Sequence, residues 1–384
     1  MILAIVAKLG FDTSLLRFIP EYFVKTDRGR LRGIIRSSFF LTILASLTIG
    51  LLANLAIFTL RGRITPGWIA PLQIMLVVLP FYTLTVVRQA ALRAFKHVVL
   101  AELPESVVRP IVLALAAFLF YHIAGALDAK SAWLSQLFAV FLAFIFGTFL
   151  LFKKLPENAG AEIVYDNRLW ITTSIPMLLM SSMNIIQSQA SIIVLGFYRS
   201  SEEVALFSAA ARIVILATFI LMAVNSIAAP MISELYYANK RQELQSLLEY
   251  SAKGIALFTA LTTLLLVFFG KSILAFFGRD FADGYSILLI LLAGQTIKSF
   301  MGPASFLLNL TGFQNLTAKV MTVAVVISVV LNLLLIPKWG VWGAAVASGV
   351  TMALWNVTLV LMDIAVVRFD PSVFCLIRKM RHDE

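Results

Sequence analysis

A chain of 384 residues with 60% hydrophobic and 13% charged side chains carries more apolar surface than one water-soluble core can hide, which places it in a bilayer. One cysteine and three histidines exclude a disulfide framework and any metal site built on their spacing, so neither cofactor nor metal is expected. The formal charge of +11 would suit nucleic acid, but the cations sit in short turns between apolar runs, where they orient a membrane protein and touch anionic lipid.

Eleven runs are long enough to cross about 30 Å of hydrocarbon. They are Met1–Tyr22, Ile34–Leu60, Ile69–Arg93, Ser106–Leu127 and Ala132–Phe152, then Leu169–Phe197, Val204–Met231, Ser251–Gly270, Tyr285–Leu310, Leu316–Ile336 and Val341–Val367. The expected fold is an all-α, polytopic membrane protein. Lys25, Arg28, Arg30, Arg32 and Arg36 crowd the first turn, Arg93, Lys96 and Arg109 the third, and Lys153, Lys154 and Arg168 the fifth. Lys240, Arg241 and Lys253 mark the seventh, while Arg368, Arg378, Lys379 and Arg381 close the chain. The positive-inside rule makes these turns and the C-terminus cytoplasmic. The odd count then leaves Met1 outside, so the expectation is a chain lacking one N-terminal helix.

Residues 1–154 make an N-terminal lobe of five helices, 155–168 a cytoplasmic linker containing Pro156, Asn158 and Gly160, 169–367 a lobe of six helices, and 368–384 a cytoplasmic tail. Between Ile232 and Tyr250, Leu244, Leu247 and Leu248 share one face of a helix with polar residues around the rest, the pattern of a helix lying on the membrane surface. A shift of 213 positions lays Ile19, Glu21, Arg28 and Leu31 on Ile232, Glu234, Arg241 and Leu244 without a gap. That is an internal duplication, with Thr26 and Asn239 as matching N-caps. Many transporters are duplicated halves with a site between them.

The segment LGFDTSLLRFIPEY followed by the basic turn DRGRLRGIIR resembles the second-helix and first-loop signature of bacterial polysaccharide flippases. These share a superfamily with the multidrug and toxic-compound extruders (MATE) and the lipid II flippases. SIPMLLMSSMNIIQSQASIIVLGFYRSSEEVALFSAAARI and LNLLLIPKWGVWGAAVASGV agree with it. The resemblance implies two pseudo-symmetric, MATE-like helical lobes around a V-shaped cavity, in a bacterial inner membrane. Its cargo would be a lipid-diphosphate-linked oligosaccharide, moved to the outer leaflet for O-antigen, capsule or exopolysaccharide assembly by alternating access. An H+ or Na+ gradient would drive it, since no P-loop is present for ATP, and polysaccharide-assembly proteins would be its partners.

Such a cargo needs cations in a water-filled cavity and hydrogen-bonding groups for sugars. Lys8 lies four residues from Asp12, so it is read either as a cavity cation or as half of a structural pair. Arg17, Arg88 and Arg93 lie near the cytoplasmic end, where long side chains snorkel; Arg17 is read alternatively as a cavity cation. Arg212 and Lys298 have no acid one helical turn away, so each faces the cavity or meets a partner on another helix. Asn184, Gln187, Ser188 and Ser191 form one helical stripe, which serves as a sugar-binding wall or as interhelical glue. Gly343 with Ala347 and Ala345 with Gly349 mark a close helix contact. Two other classes compete. A cation-coupled multidrug exporter of the same fold would need acids in its cavity. A membrane-bound acyl- or glycosyltransferase would rest on His97 and Glu102, for which no orienting group or oxyanion donors stand out.

Overall fold

The computed structural model describes residues 2–63, 66–124, 129–155 and 162–375. Arg378, Lys379 and Arg381 of the tail, and Pro156, Asn158 and Gly160 of the linker, lie outside the described residues. Among the described residues every regular element is a helix. In chain order these are α1 (Ile2–Ala7), α2 (Phe11–Val24), α3 (Arg28–Thr59), α4 (Pro66–Ala94), α5 (Val98–Leu103), α6 (Arg109–Ala124) and α7 (Ala129–Lys154). There follow α8 (Asn167–Tyr198), α9 (Ser201–Tyr237), α10 (Arg241–Ala275), α11 (Tyr285–Phe300), α12 (Ala304–Leu310) and α13 (Gln314–Met362). Short π turns join α5 to α6 and follow α13.

Among the described residues, eight helices are long and apolar enough to cross a membrane, and Arg279–Phe300 with Ala304–Leu310, bent by 43° at the break, makes a ninth if the pair is one span and not a re-entrant loop. Large side chains such as Leu51, Phe118, Phe149, Phe219 and Phe268 are exposed on these helices, which is tolerable only where the solvent is hydrocarbon. α13 is two limbs in one: Gly340, at φ 56° and ψ −132°, breaks it into the two late runs expected from the sequence. The first expected run is instead interrupted. Gly10 takes φ 78° between α1 and α2, and a Cβ there would lie 2.2 Å from the Ser174 carbonyl oxygen, so the backbone of α8 fills the notch.

The chain divides into two compact units, Met1–Leu178 and Leu179–Glu384, and the division falls within α8. In the first unit, α8 begins against α2 and α3: Trp170 Nε1 donates to the Tyr22 hydroxyl at 2.9 Å, and Ser37 Oγ to Asn167 Oδ1 at 2.7 Å. The described end of the linker runs beside α3, where Val164 N donates to the Gly29 carbonyl at 3.2 Å. The second unit has a core that includes Leu195, Ala210, Leu288, Ile336 and Ala344.

The duplicated turns have the same backbone, but not as N-caps. Thr26 and Asn239 stand at φ 55° and 57°, in the left-handed position that ends the preceding helix. Asp27 N reaches the Tyr22 carbonyl at 2.9 Å and Thr26 N the Phe23 carbonyl at 3.2 Å. The positions 213 residues later repeat both bonds with different side chains, Lys240 N to the Leu235 carbonyl at 3.0 Å and Asn239 N to the Tyr236 carbonyl at 3.1 Å. This is a Schellman closure. The cap of α3 is Asp27, which accepts from Arg30 N at 3.0 Å. The expected surface helix is also corrected. Residues 241–250 are the first turns of the 35-residue α10, and Leu244 and Leu248 are fully buried in the second unit. Nothing in the sequence breaks the helix before Ser251.

Gly340 supplies a prediction. A side chain at its φ and ψ costs about 1–3 kcal/mol, and the new Cβ would also meet Glu203 Oε2 at 2.9 Å. Gly340→Ala should therefore lower the denaturant midpoint of the purified protein. Gly254, with open space around its missing Cβ, is the control: Gly254→Ala should be neutral or stabilising.

Candidate functional site

In the second unit, four helices enclose a cavity of about 480 Å³. α8 contributes Asn184, Gln187 and Ser188, and α9 contributes Ser208, Arg212 and Thr218. α11 adds Leu291, Gln295 and Lys298, while the second limb of α13 adds Ser348, Met352 and Trp355. The residues of α8, α11 and α13 recur at three, four or seven positions, as do Ala211, Ile215 and Thr218 of α9, so each helix turns one face inward. The close approach that permits this is between glycines: a Cβ on Gly294 would lie 2.6 Å from Gly349 Cα. It sets the polar end of α11 directly beside α13, the kind of contact expected from the small residues of the late run.

Five of the eight residues singled out in the sequence line this cavity: Arg212, Lys298, Asn184, Gln187 and Ser188. Ser191 is 2% exposed and bonds Ser348 Oγ at 2.8 Å, so it joins α8 to α13 behind the wall. Lys8 and Arg17 belong to the first unit. Lys8 Nζ lies 2.5 Å from Asp12 Oδ2, and Arg17 Nε lies 3.9 Å from Glu21 Oε2 with its guanidinium 5.0 Å from the Phe18 ring.

The lining contains two cations and no acid. Neither Arg212 nor Lys298 has an acid within ion-pair distance among the described residues. Two further donors sequence reasoning had missed point the same way. Gln295 is 2% exposed and Trp355 7% exposed, yet Gln295 Nε2 and Trp355 Nε1 have no hydrogen-bond partner. A buried donor left unpaired costs about 1–3 kcal/mol, and both side chains belong to residues of the lining. Gln295, one turn before Lys298, was visible as its neighbour. Trp355 carried no signal, because its lack of a partner is a tertiary fact.

Two cations read as snorkelling do something else. Arg88 is fully buried, and its Nη1 donates to the carbonyls of Ala143 and Phe144 on α7 at 3.0 Å each. Arg93 Nε donates to Glu102 Oε1 at 2.8 Å, which also occupies the acid half of the His97–Glu102 pair considered for an enzyme.

The family model described as "polysaccharide biosynthesis protein" matches residues 1–236, and the one described as MatE matches 169–334. The chain is 27% identical over 171 residues to the probable low-salt glycan biosynthesis flippase Agl15 of Haloferax volcanii, a match covering 43% of this chain and 35% of that protein. It is 27% identical over 173 residues to the probable flippase AglR of the same organism, covering 44% and 36%. The chain thus spans about a third of the length of these two relatives. Among solved structures, a mutant of the Vibrio cholerae MATE transporter VcmN superposes with a TM-score of 0.79 at 13% identity, covering 96% of this chain and 86% of that one. At that identity the likeness concerns the fold. The first family model covers more than half of the residues, and the chain belongs to the polysaccharide biosynthesis protein family, as a multi-pass membrane protein.

Proposed function

We propose that the protein flips a lipid-diphosphate-linked oligosaccharide from the cytoplasmic to the outer leaflet, with its C-terminus cytoplasmic and without covalent chemistry. The observation that carries this reading is a cavity lined by two cations and by no acid. Arg212 and Lys298 offer two charges with no acid among the lining residues, the complement of a diphosphate. Asn184, Gln187 and Ser188 supply amides and hydroxyls beside it for the first sugar. The flippase names of the Haloferax relatives support the same substrate class. A cavity for cationic drugs would instead need an acid to receive them. Lys8 and Arg17 already have acids four residues away, so we assign the diphosphate to the second unit. A coupling ion, H+ or Na+, and polysaccharide-assembly proteins complete the proposal.

The test is reconstitution. Proteoliposomes holding the protein should translocate a fluorescent polyprenyl-diphosphate disaccharide between leaflets faster than empty vesicles, with inorganic diphosphate as a competitor. Ethidium movement without movement of the lipid-linked sugar would transfer the chain to the drug-exporter class.

A further inference from the structure

The two limbs of α13 fold back on each other at Gly340. Beside the turn they touch, since a Cβ on Gly343 would lie 2.4 Å from the Leu335 carbonyl oxygen. The same antiparallel register sets Ile327 by Thr351, Val323 by Trp355 and Val320 by Thr358, and there the limbs stand apart around a slot of about 230 Å³. Its walls are hydrocarbon, chiefly Val320, Val323, Ile327 and Leu354, with Lys319 at the start of the first limb. Trp355 lines this slot and also the cavity of Arg212 and Lys298. One side chain thus bounds a compartment suited to an anion and another suited to a hydrocarbon chain.

We infer that the slot between the limbs of α13 seats the hydrocarbon chain of the same lipid whose diphosphate occupies the cavity, with Trp355 at the junction of head and tail. This rests on the proposed function. Bulk phospholipid fits the pair of compartments poorly, for a reason of depth. Val323, beside Trp355, stands nine residues inside the first residue of α13, roughly 14 Å along the helix. An ordinary phospholipid keeps its phosphate at the surface of a hydrocarbon layer about 30 Å thick. An anion beside Trp355 therefore belongs to a lipid whose head has left the surface, which describes a lipid in transit.

The experiment uses the full chain in nanodiscs of neutral lipid and two probes, inorganic diphosphate and farnesyl diphosphate, with empty discs correcting for partition. Wild type should bind farnesyl diphosphate about tenfold tighter or more, because the chain is buried in the slot. Val323→Trp and Leu354→Trp fill the slot from opposite limbs, and both positions are more than half exposed, so folding is spared. Each should remove most of that preference while leaving inorganic diphosphate binding unchanged. A farnesyl preference that survives both substitutions overturns the inference, as does equal affinity of wild type for the two probes, which would assign the slot to bulk lipid. Failure of the underlying reading looks different. Wild type would then bind neither probe, or Arg212→Ala with Lys298→Ala would leave inorganic diphosphate binding intact, and the slot would lose its occupant with it.

Discussion

Arg212→Glu and Lys298→Glu should each reduce transport of the lipid-linked glycan to background at unchanged protein level. A hydrogen bond to a charged group contributes about 1.5–3 kcal/mol, so Arg212→Ala or Lys298→Ala should weaken binding of the anionic head about tenfold to a hundredfold. Charge reversal does more. Two unit charges about 4 Å apart repel by about 4 kcal/mol at the effective dielectric of a partly buried site, and Glu replaces attraction with that repulsion. Lys298→Arg should keep part of the activity, because charge is retained while donor geometry changes. Both cations line one cavity, so the double Ala variant should fall short of the product of the single effects. The measurement is accumulation of lipid-linked oligosaccharide on the cytoplasmic leaflet of cells carrying each variant. Wild-type export by folded Glu variants at both positions would remove the anionic cavity from the account.

Hydropathy made most of the fold legible, because a bilayer demands helices of a fixed minimum length with every backbone group paired internally. What it hid are the breaks. Gly10 is left-handed where α8 brings the Ser174 carbonyl against it, and the bend between α11 and α12 lies inside an apolar run that reads as continuous. Arg212 and Lys298 were legible as cations without an acid one turn away on their own helices, a local property. Whether any other helix supplied one was not, and only the packing of α8, α9, α11 and α13 answers it. The same asymmetry explains Arg88. Its place in α4 suggested snorkelling, while the carbonyls that hold it come from residues 55 and 56 positions away. The internal repeat was visible in side chains, yet its left-handed turn was not, since Thr is seldom the residue at a positive φ.

Gly147 is where that buried guanidinium is most exposed to test. Arg88 is fully buried, with Nε and Nη2 lacking partners and Nη1 held by two carbonyls of α7. A Cβ on Gly147 would lie 2.0 Å from Arg88 Cζ, so the flat guanidinium occupies the space that a methyl group would need. Before helix propensity is counted, Gly147→Ala should therefore destabilise the protein by about 2.5–6 kcal/mol, combining overpacking of about 1–3 kcal/mol with loss of charge-assisted bonds to the carbonyls of about 1.5–3 kcal/mol. Helix propensity acts in the opposite direction, since Ala is favoured over Gly by about 1 kcal/mol. The sign of the total thus reports on the side chain. In an Arg88→Met background the guanidinium is gone, and Gly147→Ala should be neutral or stabilising. The two positions form a double-mutant cycle whose coupling is read by denaturant unfolding in mixed micelles. If Gly147→Ala costs as much with Met at position 88 as with Arg, the methyl group collides with something other than the guanidinium, and Arg88 does not owe its place in the bilayer to the missing side chain of residue 147.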